Sequence, residues 1–469
     1  MPWNGPCGAR PAPLAETSMA ESDIQPALVE LGDALKALDQ VNPRRLAGRV
    51  TEVTGLVVRA TIPGVRVGEL VFIDREAMPG PAPAEQPRLQ AEVVGFRGDE
   101  VVLMPLGEVA GIGPDAVVSP TGRPLGVQVG EGVLGRVLDG LGKPLDGRGA
   151  ILGPTEEWAV DRPAPDPLTR RRVAKPLALG VRAIDGFLTV GEGQRVGLFS
   201  GSGVGKSMLL GQIARQTEAD VNVIALVGER GREVTEFIED ALGPEGRARS
   251  VVICATSDTP SLVRLKSAFV ATAVAEWFRD RGQRVLLMMD SLTRFARAQR
   301  EVGLAAGEPP ARQGFPPSVF AVLPRLLERT GNSHVGSITA LYAVLVSGGD
   351  MEEPIADEVR GILDGHIVLA RELCDRNHWP AIDVLPSLSR VMNAVVDERH
   401  REAAGRVREL MAAYEQKRDL IALGAYKRGS DPRTDEAIAA IDAINIFLRQ
   451  GTHEVSSFED TRKRLLALV

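Results

Sequence analysis

Between residues 180 and 397 the apolar positions come in nearly unbroken runs rather than in alternation. "VNVIALVG" (221–228), "VVICAT" (251–256), "RVLLMMD" (284–290), "SITALYAVLV" (337–346) and "GHIVLA" (365–370) are short and almost free of charge. Such runs predict strands buried on both faces, as in a parallel sheet covered by helices. Helical segments separate them, so the region reads as α/β. From Leu46 to about Val118 the texture changes. "GRVTEVTGLVVRATIPGVRVGELVFI" and "LQAEVVGFRGDEVVLMPLG" are short β-branched runs broken by Gly and Pro, the pattern of a small all-β barrel.

Between these regions, residues 122–147 read as a glycine-rich connection, and Pro154 to Pro167 as a proline-rich linker with few structural demands. After Asp397 the pattern is helical, through "ERHREAAGRVRELMAAYEQKRDLIALGAY" and "TDEAIAAIDAINIFLRQ". Ahead of the barrel, Ile24, Leu28, Leu31, Leu35 and Leu38 share one helical face. That stretch serves either to pack on its own domain or to dock a partner. The expected division is a disordered start and amphipathic helix over 1–45, a β-barrel over 46–125, an α/β core over 126–397 and a helical domain over 398–469.

Composition narrows the class. At 469 residues there is room for two to four domains. A formal net charge of −7 argues against a constitutive nucleic-acid binder, and an aromatic share of 4% leaves little for stacking on bases. Cys7, Cys254 and Cys374 are odd in number and far apart, which suggests a reducing compartment with neither a disulfide framework nor a zinc site. Residues 1–18 lack the features of a secretory signal, and Met19 is an alternative start. The longest uncharged run, Val335 to Gly349, is too short to span a bilayer, so membrane association is expected to be peripheral.

The chemistry concentrates in "GLFSGSGVGKSMLL" (197–210). Arg195 to Phe199 predicts a buried strand, and Met208 to Gln216 a helix. Between them Gly201, Gly203 and Gly205 permit a turn whose N–H groups converge on anionic oxygens. Lys206 adds a charge for the terminal phosphates, Ser207 a hydroxyl for Mg²⁺, and the helix N-terminus faces the same point. Ser200 stands where the strict pattern has Gly. Asp290 ends an apolar strand and can hold the water shell of Mg²⁺. Glu229 ends another, where it either polarises a water for attack on the γ-phosphate or forms a surface salt bridge with Arg230 or Arg232.

"PAIDVLPSLS" (380–389) resembles the signature of ATP synthase α and β subunits. "GERGREVTEFIED", "PIADEVRGILDGHIVLAREL" and "AYKRGSDPRTDEAI" resemble type III protein-secretion ATPases, and "FLRQGTHE" and "RNHWPAIDVLPSLSRVMN" look more like the injectisome than the flagellar branch. The resemblance runs from about Leu46 to the C-terminus. It implies a RecA-like P-loop NTPase core, preceded by a small β-barrel and followed by a C-terminal helical domain, that hydrolyses ATP with Mg²⁺. It assigns nucleotide contacts to Gly201, Ser202, Gly203, Val204, Gly205, Lys206, Ser207 and Met208, and Mg²⁺ to Ser207 and Asp290. Glu229 becomes the catalytic carboxylate. Arg230 and Arg264 lie near the γ-phosphate, Trp379 stacks on adenine, and Arg390 reaches into a neighbour's site.

The resemblance also implies a cytoplasmic homo-hexamer, peripheral to the inner membrane. Its partners would be central stalk and stator proteins, an export gate and chaperone–effector complexes, with no nucleic acid. The work would be chaperone release, unfolding and export of secreted proteins. Alternatives are a flagellar export ATPase, an ATP synthase-type subunit, a hexameric RNA helicase and a non-catalytic nucleotide-binding subunit. A carboxylate at 229 argues against the last.

Overall fold

The computed structural model describes residues 47–75 and 88–469. The expected amphipathic helix Ile24–Leu38 and disordered start lie outside the described residues.

Six short strands open the described chain: β1 (Gly48–Thr54), β2 (Val57–Thr61), β3 (Glu69–Ile73), β4 (Leu89–Arg97), β5 (Glu100–Pro105) and β6 (Val117–Pro124). They close in the order β1-β2-β5-β4-β3-β6, with β6 returning to pair Val118 with Gly48. Inward positions such as Val58, Ala60, Val71, Ile73, Ala91, Val93 and Leu103 are buried. Closure leaves no sheet edge to pair with another chain.

The glycine-rich connection and the proline-rich linker carry more structure than their composition suggests. β7 (Gly126–Val129) pairs antiparallel with β9 (Glu156–Ala159), and β8 (Val137–Asp139) joins the main sheet beside the strand Ser250–Thr256. The linker is tied down by polar contacts. Glu156 Oε1 accepts from Trp277 Nε1 and from Arg281, both at 2.5 Å, and Val160 O accepts from Arg329 at 2.8 Å. Arg329 is completely buried. Its guanidinium meets Glu276 through two bonds of 2.9 and 2.8 Å, which compensates the charge inside the core.

Among the described residues, nine strands form the main sheet. Those after β8 are β10 (Arg195–Ser200), β11 (Val221–Glu229), β12 (Ser250–Thr256), β13 (Arg284–Asp290), β14 (Gly331–Asn332), β15 (Ser337–Leu345), β16 (Gly365–Leu369) and β17 (Ile382–Ser389). Their order is β17-β16-β10-β15-β13-β11-β12-β8, with β14 appended to β15. β8, β10–β13, β15 and β16 run parallel; β17 and β14 are antiparallel. Every residue of β11 is buried, with Val223, Ala225 and Val227 in the core on one face and Ile224 and Leu226 in the core on the other. That two-sided burial is what the unbroken apolar runs require.

The strand β17 is not apparent from "PAIDVLPSLS", which Pro386 interrupts; as an outer strand it tolerates the missing N–H. The chain ends in helices Glu398–Ala422, Pro432–Leu448 and Phe458–Leu466. Asp397, Asp431 and Ser457 cap their first turns, satisfying N–H groups that a helix start leaves open.

Candidate active site

Strand β10 enters between β15 and β16, and Ser200 is fully buried with its Oγ unpartnered. The chain then turns through Gly201–Gly205 into helix Lys206–Gln216. Gly203 (φ 75°) and Gly205 (φ 79°) adopt the left-handed conformation that the sequence pattern demands. Gly205 is required twice over, because a Cβ there would come within 2.6 Å of the Trp379 ring. The indole thus lies directly against the glycine loop, half-exposed, with Nε1 donating to Asn377 Oδ1 at 2.9 Å.

Parallel strands deliver the carboxylates. Asp290 ends β13 level with Leu226 of β11, so Glu229 ends β11 on the same edge of the sheet. Both are buried. The Lys206 ammonium contacts Asp290 and so links the loop to β13. A cavity of about 1330 Å³ opens over this edge. Its walls include the whole loop Gly201–Gly205, then Lys206, Ser207, Met208, Glu229 and Arg230.

Glu229 pairs with neither of the arginines beside it in sequence. Arg230 meets Glu233 at 3.5 Å and Arg232 meets Glu236 at 2.6 Å. Arg294, on helix Leu292–Ala306, instead lies 3.0 Å from Glu229 Oε2 and also donates to Gly228 O. Burial pushes the Glu229 carboxyl up to about 8. The Asp290 charge and the nearby Glu233 carboxyl add to this, while Lys206 and Arg294 oppose it. The Glu233 carboxyl is held low, chiefly by its interaction with Glu229.

Two expected residues stand apart from this cavity. Arg264 faces a separate crevice of about 310 Å³ between the barrel and the core, where it meets Glu301 at 2.5 Å and Thr259 O at 3.0 Å. Arg390 follows β17, its backbone N–H donating to Asp364 O at 2.9 Å. Because β17 is antiparallel to β16, Ser389 pairs with Gly365, at the opposite end of β16 from Leu369, which is level with Ser200. At about 3.3 Å per residue, Arg390, level with Asp364, starts roughly 16 Å down the sheet from the edge where the glycine loop of its own chain begins.

Comparison with known proteins places this arrangement in a family. The nucleotide-binding domain of the ATP synthase alpha/beta family matches residues 180–389, and that family's beta-barrel domain matches 50–122. The T3SS EscN ATPase C-terminal domain matches 396–467. A type 3 secretion system ATPase of Xanthomonas euvesicatoria is 52% identical over 457 residues, 97% of this chain and 99% of the relative. The chain belongs to the type III secretion ATPase family. It is accordingly an ATP-binding hydrolase built as barrel, nucleotide-binding core and helical C-terminal region. A flagellum-specific ATP synthase of Bacillus subtilis is also close, 51% identical over 434 residues, 92% of this chain and 98% of the relative. Among solved structures, the assembled ATPase EscN in complex with its central stalk EscO, from enteropathogenic E. coli, is 46% identical with a TM-score of 0.82. That match covers 90% of this chain and 99% of the other.

In this type III secretion ATPase, sequence reasoning missed Arg294, Glu233 and Arg371. The first is brought to Glu229 by tertiary packing across two strands, with no local pattern to announce it. Glu233 sits in the quoted "GERGREV", one helical turn beyond the strand, and that spacing was the available signal. Arg371, just past the end of β16 that is level with Ser200, donates to Ser202 O at 2.5 Å.

Proposed function

We propose that the chain is the ATPase of an injectisome-type protein secretion system, dividing as 46–125, 126–397 and 398–469. The observation that carries the chemistry is the convergence of Glu229, Asp290 and Lys206 at one edge of the sheet, beside the glycine loop Gly201–Gly205. The loop from Gly201 to Ser207, with Met208, holds the phosphates of ATP. Trp379 offers an apolar face to adenine. Glu229, once deprotonated, accepts a proton from the water that attacks the γ-phosphorus, and ADP leaves with the bond electrons. Arg230 and Arg294 flank the Glu229 end of the site. For Arg264 a phosphate contact would require release from Glu301.

Mg²⁺ fits the donor set. Among the described residues no three His, Cys, Asp or Glu side chains cluster as a metal cage. An exposed Ser207 and the Asp290 carboxylate supply the one or two oxygen donors that Mg²⁺ takes from a protein when phosphates and water complete its shell. When bound it would screen the phosphate charge.

Arg390 serves the adjacent subunit. Its distance down the sheet from its own loop supports that reading, as does the assembled state named for the relative. A homo-hexamer around a central stalk, with stator, export gate and chaperone–effector complexes as further partners, completes the proposal. Among the described residues no helix is long and apolar enough to cross a membrane, and attachment to the inner membrane would be peripheral. Deleting the gene tests the branch: loss of needle and effector export with motility intact is expected. Lost flagellar filament export with injectisome secretion intact would assign the flagellar role.

A further inference from the structure

Residues 370–381 form a compact turn that connects β16 to β17. It is closed by Ala370 N–H to Ala381 O at 2.9 Å, His378 N–H to Leu373 O at 2.9 Å and Asn377 N–H to Cys374 O at 2.8 Å. From the C-terminal region, Gln450 N–H donates to Trp379 O at 2.9 Å. Two side chains of this turn reach the phosphate loop at separate points. The Arg371 guanidinium donates to Ser202 O, and the Trp379 ring rests against Gly205.

A loop that aims its N–H groups at phosphate must turn carbonyls outward, where each needs a donor of its own. The loop's outer face is well exposed at Ser202 and Gly203, so water is the competing donor. We infer that Arg371 is a positioning residue for ATP binding: by holding the Ser202 carbonyl outward it keeps the preceding and following N–H groups converged on the phosphates. This rests on the reading of 201–207 as the phosphate site. The role is a hydrogen bond to one carbonyl, so a neutral donor of sufficient reach suffices. The turn itself is anchored independently of Arg371 by the backbone bonds above, so its loss leaves the fold in place.

Because the loop grips phosphates alike in ground and transition states, a loosened loop weakens uniform binding. Arg371→Ala is therefore expected to raise KM for ATP and Kd for ADP about tenfold, with kcat within about twofold of the parent. Adenosine, which lacks phosphates, should compete with ATP equally well against parent and variant. Citrulline at position 371, which keeps the donors at the same reach and loses the charge, should recover most of the affinity, and Arg371→Lys likewise. Unchanged KM in Arg371→Ala overturns the inference, as does a citrulline variant as impaired as Arg371→Ala, since charge alone would then be responsible. A fall in kcat with KM unchanged overturns it too. Lys206→Ala is the control for the underlying reading. An inactive Lys206→Ala beside a silent Arg371→Ala defeats only the inference, whereas a fully active Lys206→Ala defeats the phosphate site itself.

Discussion

Arg294 Nη2 stands 3.0 Å from Glu229 Oε2, and the same guanidinium donates to the carbonyl of Gly228. One arginine therefore fixes both the last bend of β11 and the charge environment of the carboxylate that ends it. Glu229 lies among opposing influences: burial and Asp290 favour its proton, while Lys206 and Arg294 favour its loss.

A base must be deprotonated to act, and kcat/KM reports the groups of the free enzyme. With Glu229 pushed up to about 8, kcat/KM for ATP is expected to climb from pH 6 and level off above about pH 8. Arg294→Ala removes a cation that favours the ionised form, so its rise should move to higher pH and its rate at pH 7 should fall. A flat profile between pH 6 and 9 in the parent would remove Glu229 as the titrating base.

Glu229→Gln should still bind ATP but lose hydrolysis by about 10²–10⁴-fold, because the amide keeps the shape and cannot take the proton. Its stability should also respond to pH. The folded carboxyl holds its proton more tightly than the unfolded chain does, so the stability linked to it is present below the ordinary glutamate range and lost as pH rises through about 8. Relative to the parent, Glu229→Gln should thus gain thermal stability at pH 9 and gain least at pH 5. Scanning calorimetry at both values checks the sign.

Gly205→Ala should abolish tight nucleotide binding without unfolding the chain. A left-handed φ costs an L-residue roughly 1–2 kcal/mol, about tenfold in affinity, before the indole is displaced. Trp379→Ala should raise KM for ATP more than it lowers kcat, and Trp379→Tyr should be nearly silent. Steady-state kinetics on the three variants distinguishes a loop defect from a base-stacking defect.

The buried pair of Glu276 and Arg329 should dominate core stability. Glu276→Ala strands a fully buried guanidinium and should cost about 3–5 kcal/mol in denaturant unfolding. Arg59→Ala, which breaks an exposed pair with Glu52 on the barrel, should cost about 0–1 kcal/mol. Equal losses would show that burial does not set the difference.

The parallel strands were legible because two-sided burial leaves an unmistakable run of apolar residues, as in "VNVIALVG" and "RVLLMMD". The turn Gly201–Gly205 was legible because glycine tolerates its left-handed backbone at Gly203 and Gly205. Strands β7, β8 and β9 were not: each has four residues or fewer, and each is stabilised by partners distant in sequence, such as Trp277 and Arg281 beneath Glu156. For the same reason Arg294 and Arg371 escaped notice, since their contacts depend on which strands become neighbours. Arg264 illustrates the converse. Resemblance suggested a phosphate contact, yet the structure places its guanidinium against Glu301 at the barrel crevice.

Arg390→Ala should bind ATP normally and fail to hydrolyse it at any protein concentration, while the parent's activity per subunit should rise with concentration. An arginine supplied from outside a site contributes about 10³–10⁵ in rate in other phosphoryl-transfer enzymes. Mixing Arg390→Ala with Lys206→Ala, each inactive alone, should restore part of the hydrolysis. Mixed assemblies seen by native mass measurement without recovered activity would sink the trans-acting role.

The reversal of β17 against β16 has an arithmetic consequence for any assembly that uses Arg390 in this way. Each subunit lends its arginine in one direction and borrows one from the other. An open arc must then always contain one complete site fewer than it has members, and its terminal loop is permanently idle. Only when the last subunit meets the first do sites and subunits become equal in number. Ring closure would itself switch on a site, so the rate of hydrolysis could serve as a counter of finished rings.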